Sequence, residues 1–151
     1  MVQHVHLPAF QGYFAEAQMK LLAKQQDPKI WRYWALENLW GNLDANPDPF
    51  RRDNIMFSGF IAAQIAYAKA AMDAGDRFVA GELIFRHRSG KIDAYSMSRL
   101  IEGLVRQCAR APFGLLACEP NWIYPLCNAI TASAIRGYDA RNGIAHWEGM
   151  A

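Results

Sequence analysis

The chain has 151 residues, 52% of them hydrophobic and 20% charged, which suits one domain with a real core, is too few for two ordinary domains and excludes a largely disordered chain. Lys and Arg number 16 against 14 Asp and Glu, a net charge of +2 that gives no reason to expect a nucleic acid or another polyanion as partner. No stretch approaches the ~18 apolar residues of a membrane span, and Met1–Phe10 lacks the basic patch and apolar run of a secretory signal.

Phe10, Tyr13, Phe14, Ala17 and Leu21 recur at helical spacing and predict a first helix over residues 10–24. Asp27-Pro28 is a helix start, with a capping carboxylate followed by proline in the first turn. The helix it opens carries Ile30, Trp31, Trp34, Ala35, Leu36 and Leu39 and is expected to end near Gly41, with Trp31 and Trp34 in the core. Residues 42–53, with two prolines and several Asp and Asn, read as a loop. Asn54 is then the predicted cap of a long, alanine-rich helix ending at Gly75.

Between residues 82 and 95 the pattern changes. Leu83-Ile84-Phe85 and Ile92-Asp93-Ala94-Tyr95 flank Arg88-Ser89-Gly90-Lys91, which predicts a β-hairpin. Its basic tip, Arg86 to Lys91, reads as solvated, since it lacks the interleaved aromatics of a nucleic-acid platform. Ser96 or Ser98 caps the next helix, which carries Leu100, Ile101, Leu104, Val105 and Cys108 on one face. Pro112 and Gly114 end it, and a last helix is predicted from Pro125 to about Ile135. Helix pairs joined by loops recur without a sequence repeat, a pattern that fits a plain bundle and an α/α toroid equally.

The segment Cys118-Glu119-Pro120-Asn121-Trp122-Ile123-Tyr124-Pro125-Leu126-Cys127-Asn128 carries the chemistry. Nine helical residues turn by ~900°, so one continuous helix would point the two thiols in opposite directions. Pro120 and Pro125 argue against such a helix, because each lacks an N–H and restricts the residue before it. A loop that folds back can bring both sulfurs to one cavity. Pro125 suits the first position of a helix, which sets Cys127 in its first turn, where the helix dipole favours thiolate.

Other readings of these residues stand beside that one. Free cysteine packs as a small hydrophobe, which is the reading for Cys108. Cys118 and Cys127 can also form a disulfide, although three cysteines without a signal favour reduced thiols in the cytosol. A zinc site needs four ligands, and His4, His6, His87 and His146 have no ligand spacing. Nothing indicates a metal, nucleotide, haem or other cofactor. Glu119 is either a catalytic carboxylate or a partner for loop N–H groups. Met56, Phe60, Trp122 and Tyr124 are either core residues or the lining of an apolar pocket.

Cys-Glu-Pro, six residues, then Cys-Asn resembles the signature of the linalool dehydratase/isomerase family. Asp53-Asn54-Ile55-Met56-Phe57-Ser58-Gly59 resembles that family's Asn-Ile-Met helix opening, and Ala111-Pro112-Phe113-Gly114-Leu115-Leu116-Ala117 its run into the first cysteine. Gly137-Tyr138-Asp139 stands where the family has an aromatic-Asp pair. The likeness covers roughly residues 28–143. One departure is Phe60, which occupies the position of a histidine in the family's bacterial dehydratase.

The resemblance implies an all-α fold, half of an (α/α)6 toroid with one β-hairpin insertion, formed by residues 1–151 as a single domain like the N-terminal and central part of the family's domain. It implies a cofactor-independent lyase or isomerase of small apolar allylic alcohols or terpenoid-like metabolites. Cys118, Cys127 and Glu119 are its catalytic candidates; Met56, Phe60, Trp122, Tyr124 and Asn128 are its substrate-binding candidates. In that scheme Cys127 is the base or transient nucleophile and Cys118 the acid, or the reverse. Self-association into a homo-oligomer follows from the family's sites lying at subunit contacts. The competing expectation is a non-catalytic or truncated homologue, a half-barrel that buries an apolar edge against itself or a partner.

Overall fold

The computed structural model describes residues 8–72 and 83–149. Their secondary structure is mainly helical, with one two-stranded antiparallel sheet. A 3-10 turn at Pro8–Phe10 leads into α1 (Gln11–Gln25). Asp27 then accepts a hydrogen bond from the Lys29 N–H and Pro28 opens α2 (Pro28–Trp31), as the Asp-Pro signal predicts. The single helix expected to follow is interrupted at Arg32, and the chain continues as α3 (Tyr33–Asn42).

Gly41 lies inside α3, and the stop is Leu43, left-handed at φ 52°. Gly41 is needed elsewhere: a Cβ on it would stand 2.2 Å from the Pro120 Cβ. The loop after α3 is tied by Asn38, whose amide donates to the carbonyls of Asp44 and Asn46.

Helix α4 (Ile55–Met72) is the central element, with Ile55, Ile61, Ala62, Ala63 and Ile65 buried. Asn54 precedes it, but its side chain does not cap. Its amide donates to the Pro49 carbonyl at 3.1 Å, while its backbone carbonyl accepts from Phe57 and Ser58. The predicted end at Gly75 lies outside the described residues.

Strands β1 (Leu83–Arg86) and β2 (Ile92–Tyr95) pair as the turn signal predicts, with Gly90 at φ 85° in the connection. The hairpin sends Phe85 and Tyr95 inward, where they stack edge-on against Phe50 at 4.9 and 4.7 Å. Its tip is not solvated throughout. His87 is buried against Trp31 and bonded to Asp93 at 2.7 Å.

Ser96, rather than Ser98, caps α5 (Met97–Arg110), accepting from the Arg99 N–H at 3.1 Å. Leu100, Ile101, Leu104 and Cys108 are buried on one face, with Val105 partly buried. After a 3-10 turn at Pro112–Gly114, α6 (Pro125–Asn142) runs past Ile135 to Gly143, whose φ of 63° ends it. Gly137, just beyond the predicted end, is an interior residue of this helix facing Ala66 of α4.

Contacts between α4 and α6 advance together along both chains. Gly59 meets Thr131, Gly137 faces Ala66, and Arg141 donates to the Lys69 carbonyl at 3.0 Å. The two helices are therefore parallel and pack directly on each other, with α5 in contact with both. Both N-termini and the exit from α5 come to one end of the molecule. No helix among the described residues is long and apolar enough to cross a membrane.

Candidate active site

The two thiols meet at that end. Pro120 and Asn121 form a tight turn in which the Trp122 N–H donates to the Glu119 carbonyl at 2.9 Å. Proline followed by a residue at positive φ, here Asn121 at 69°, is the signature of a type II turn. The Cys118 N–H then donates to the Trp122 carbonyl at 2.8 Å and closes the fold-back.

Asn128, in the first turn of α6, clasps the same loop. Its Oδ1 accepts from the Leu116 N–H at 2.8 Å, and its Nδ2 donates to the carbonyls of Leu116 and Tyr124. The incoming strand is anchored to α4 as well, because the Ile55 N–H donates to the Ala117 carbonyl.

These constraints bury Cys118 completely and Cys127 almost so, and set the two thiols close enough to influence each other's ionisation. Cys108, Cys118 and Cys127 are all free thiols. Burial, reinforced by the neighbouring Cys127 thiol and by the Glu119 charge, pushes the Cys118 thiol up to about 12. Cys118 thus stays protonated at neutral pH. Cys127 is the third residue of α6, at the positive end of its dipole.

One carboxylate, Glu119, borders the thiol pair. Glu119 is half-buried beside Cys118, and its charge is felt by Glu37 and Tyr33 of α3. Burial and then the Glu119 charge raise the Glu37 carboxyl, whose Oε2 is buried with no hydrogen-bond partner among the described residues. Tyr33 is pushed up to about 12 by burial first, then by the charges of Glu37 and Glu119.

The helix geometry explains the gathering. Tyr33, Glu37 and Gly41 are spaced by four and share one face of α3. Gly41 is in contact with Pro120, and its carbonyl accepts from the Asn121 amide at 3.4 Å. Sequence reading overlooks Tyr33 and Glu37. Their register with Gly41 is the one local signal that ties them to a common face.

The remaining candidates lie at the surface of this end. Met56 and Phe60, one turn apart on α4, are 41% and 39% exposed, and Trp122 and Tyr124 are 62% and 47% exposed. They do not enclose a pocket within the described residues. Among those residues no group of three or more His, Cys, Asp or Glu could hold a metal ion.

A family model for linalool dehydratase/isomerase matches residues 1–151, the whole chain. The chain belongs to the linalool dehydratase/isomerase family. The match extends beyond the stretch of roughly 28–143 on which the motif likeness rests. No individually curated protein matches the chain. The Cys-Glu-Pro turn, the Asn-Ile-Met opening of α4 and the Cys-Asn start of α6 lie at one end of the molecule.

Proposed function

We propose that the protein is a cofactor-independent hydro-lyase and allylic isomerase acting on a small apolar allylic alcohol or terpenoid-like metabolite. The observation that supports this reading is the closeness of two free thiols, Cys118 and Cys127, to each other and to Glu119, with the Glu37 carboxyl raised by burial and by the Glu119 charge. Dehydration of such an alcohol needs an acid at the leaving hydroxyl and a base at a neighbouring C–H. A thiol held near 12 is a weak acid, whereas a raised carboxyl lies closer to working pH.

Glu37, whose carboxyl is raised by burial and by the Glu119 charge, therefore supplies the proton, and the C–O bond breaks to release water and leave an allylic cation. Cys127 takes the proton from the adjacent carbon to give the diene, and the neighbouring Cys118 thiol orients it. Return of water at the other end of the allyl system gives the isomer. Met56, Phe60, Trp122 and Tyr124 cover the hydrocarbon, and Asn128 holds the loop. Phe60, apolar where the bacterial dehydratase has histidine, suits a substrate with less polar contact at its hydroxyl.

The reading includes the half-toroid arrangement of residues 1–151 as a single domain, assembly as a homo-oligomer that completes the walls around the exposed aromatics, and a cytosolic setting where thiols stay reduced. It is tested by incubating the 151-residue protein with tertiary and primary allylic terpenoid alcohols and following dienes and rearranged alcohols by gas chromatography. Turnover by the wild type, lost in Cys127→Ala and Glu119→Gln variants that remain folded, is the expected result. A folded wild-type protein that turns over none of these alcohols overturns it.

A second reading is favoured by the apolar surface at the same end, where Phe113 is 94% exposed and Leu126 69%. Here the chain is a non-catalytic, self-associating or partner-binding helical domain. Sedimentation shows whether it self-associates, and persistence of the assembly in Cys127→Ala together with absent turnover selects this alternative.

A further inference from the structure

A groove of about 480 Å³ opens between the α2–α3 junction, the loop at Pro47 and the hairpin tip. Its size falls within the range of small-molecule clefts, about 300–1,000 Å³. Ala35, Leu36 and Pro47 give it an apolar wall, with Trp31 and His87 at its back. Leu36 is 64% exposed on this wall, although helical spacing predicts an inward-facing residue.

The rim is cationic. Arg32 and Arg88 stand on it with Ser89, and neither arginine forms an ion pair among the described residues. The nearby acids are engaged elsewhere. Asp93 is held by His87 at 2.7 Å and by Lys91 at 3.0 Å. Asp48 accepts from the Phe50 N–H and the Tyr95 hydroxyl, and Glu37 lies a turn along α3 toward Glu119. The Ser89 hydroxyl oxygen accepts from the Lys91 N–H, which leaves its O–H free to donate.

We propose that this groove binds a small amphiphile with an anionic head, carboxylate or phosphate, on Arg32, Arg88 and Ser89 and an apolar chain along Leu36 and Pro47. Two guanidinium groups and a hydroxyl lining one groove match the oxygens of either head, because planar guanidinium donates in a fork that fits both. The apolar wall cannot be satisfied by a free inorganic anion, and the cationic rim is not needed by a neutral hydrocarbon. The proposal rests on the groove's own walls and not on the chemistry of the cysteines.

The test is titration of the full-length protein, followed by calorimetry and tryptophan fluorescence, with decanoate, decyl phosphate, decanol and inorganic phosphate below micelle-forming concentrations. Saturable one-site binding of decanoate or decyl phosphate is expected, with decanol and inorganic phosphate at least about tenfold weaker. The double variant Arg32→Ala/Arg88→Ala, folded by circular dichroism, loses about tenfold or more in affinity for the charged probes. Leu36→Asp weakens the same probes. Which of decanoate and decyl phosphate binds more tightly decides between a carboxylate and a phosphate head. Equal binding of decanol, absence of binding by both charged probes, or unchanged affinity in the double variant overturns the proposal.

Discussion

Gly41 and Pro120 are in direct contact: a methyl group on Gly41 would stand 2.2 Å from the Pro120 Cβ and 2.7 Å from its Cγ. The end of α3 and the cysteine turn thus meet through a residue without a side chain. This approach brings Glu37 and Tyr33 within reach of the charge of Glu119, the carboxylate next to Cys118.

Gly41→Ala has two opposing effects. Alanine in place of a helical glycine gains about 0.8–1.0 kcal/mol of propensity. Forcing a methyl into a rigid proline ring costs about 1–3 kcal/mol, so the steric term wins. The variant should melt a few degrees below wild type, at about 2–4 °C per kcal/mol for a domain of this size. Its Cys118 should also react faster with a thiol reagent as the turn lifts. A variant more stable than wild type would show that the two elements do not touch.

Asn128→Ala removes three hydrogen bonds to the backbone at Leu116 and Tyr124. At about 0.5–1.5 kcal/mol each, and more where a group is left buried and unpaired, the loss should be about 2–4 kcal/mol. Asn128→Asp keeps the acceptor to the Leu116 N–H and loses both donated bonds, so it should fall between the two. Urea denaturation of all three proteins orders them, and an alanine variant within 0.5 kcal/mol of wild type, on the order of a neutral surface change, contradicts the clasp.

Local chemistry made much of this structure legible. Asp27-Pro28 starts a helix, Ser96 caps one, Arg88-Ser89-Gly90-Lys91 turns a hairpin, and Pro120 and Pro125 break the helix so that the cysteine loop folds back. Each signal acts within a few residues. What escaped depends on contacts between distant segments. Gly41 looks like a helix stop, yet it sits inside a helix with Pro120 passing against it, and α6 runs beyond its predicted end at Ile135 through Gly137, which faces Ala66. His87 looked like part of a charged tip, but alternation along the hairpin turns it inward onto Trp31 and Asp93. Tyr33 and Glu37 are about eighty residues from the thiols in sequence, and only tertiary packing brings them near.

Stability should decline at alkaline pH, with cysteine as a main cause. Burial pushes Cys108 to about 11, and burial with the neighbouring Cys127 thiol takes Cys118 to about 12. Both lie above the ordinary thiol value of ~8.5. The neutral thiol is the form that the fold favours, so this stabilisation is fully present below about 8.5. It is lost as the unfolded chain ionises and pH climbs toward the folded values. Tm measured from pH 7 to 10.5 should fall above pH ~8.5, and Cys108→Ala should flatten part of that fall. A slope identical in wild type and variant would remove Cys108 from the account.

Gly59 and Thr131 set the spacing of the parallel helices that deliver Cys127. A Cβ on Gly59 would stand 2.1 Å from the Thr131 Oγ1 and 3.2 Å from its Cβ. Thr131 is buried, and its hydroxyl donates to the Cys127 carbonyl at 2.8 Å. Gly59→Ala should therefore cost about 1–3 kcal/mol by overpacking despite its better helix propensity. Thr131→Ala alone should cost about 1 kcal/mol for its hydrogen bond and packing. In the double variant the clash with Oγ1 is gone, so its loss should be smaller than the sum of the two, with a coupling of about 0.5–3 kcal/mol. The four proteins, compared by urea denaturation, form a complete double-mutant cycle. Strict additivity would mean that α4 and α6 do not cross at this pair, and that the delivery of Cys127 beside Cys118 depends on some other contact.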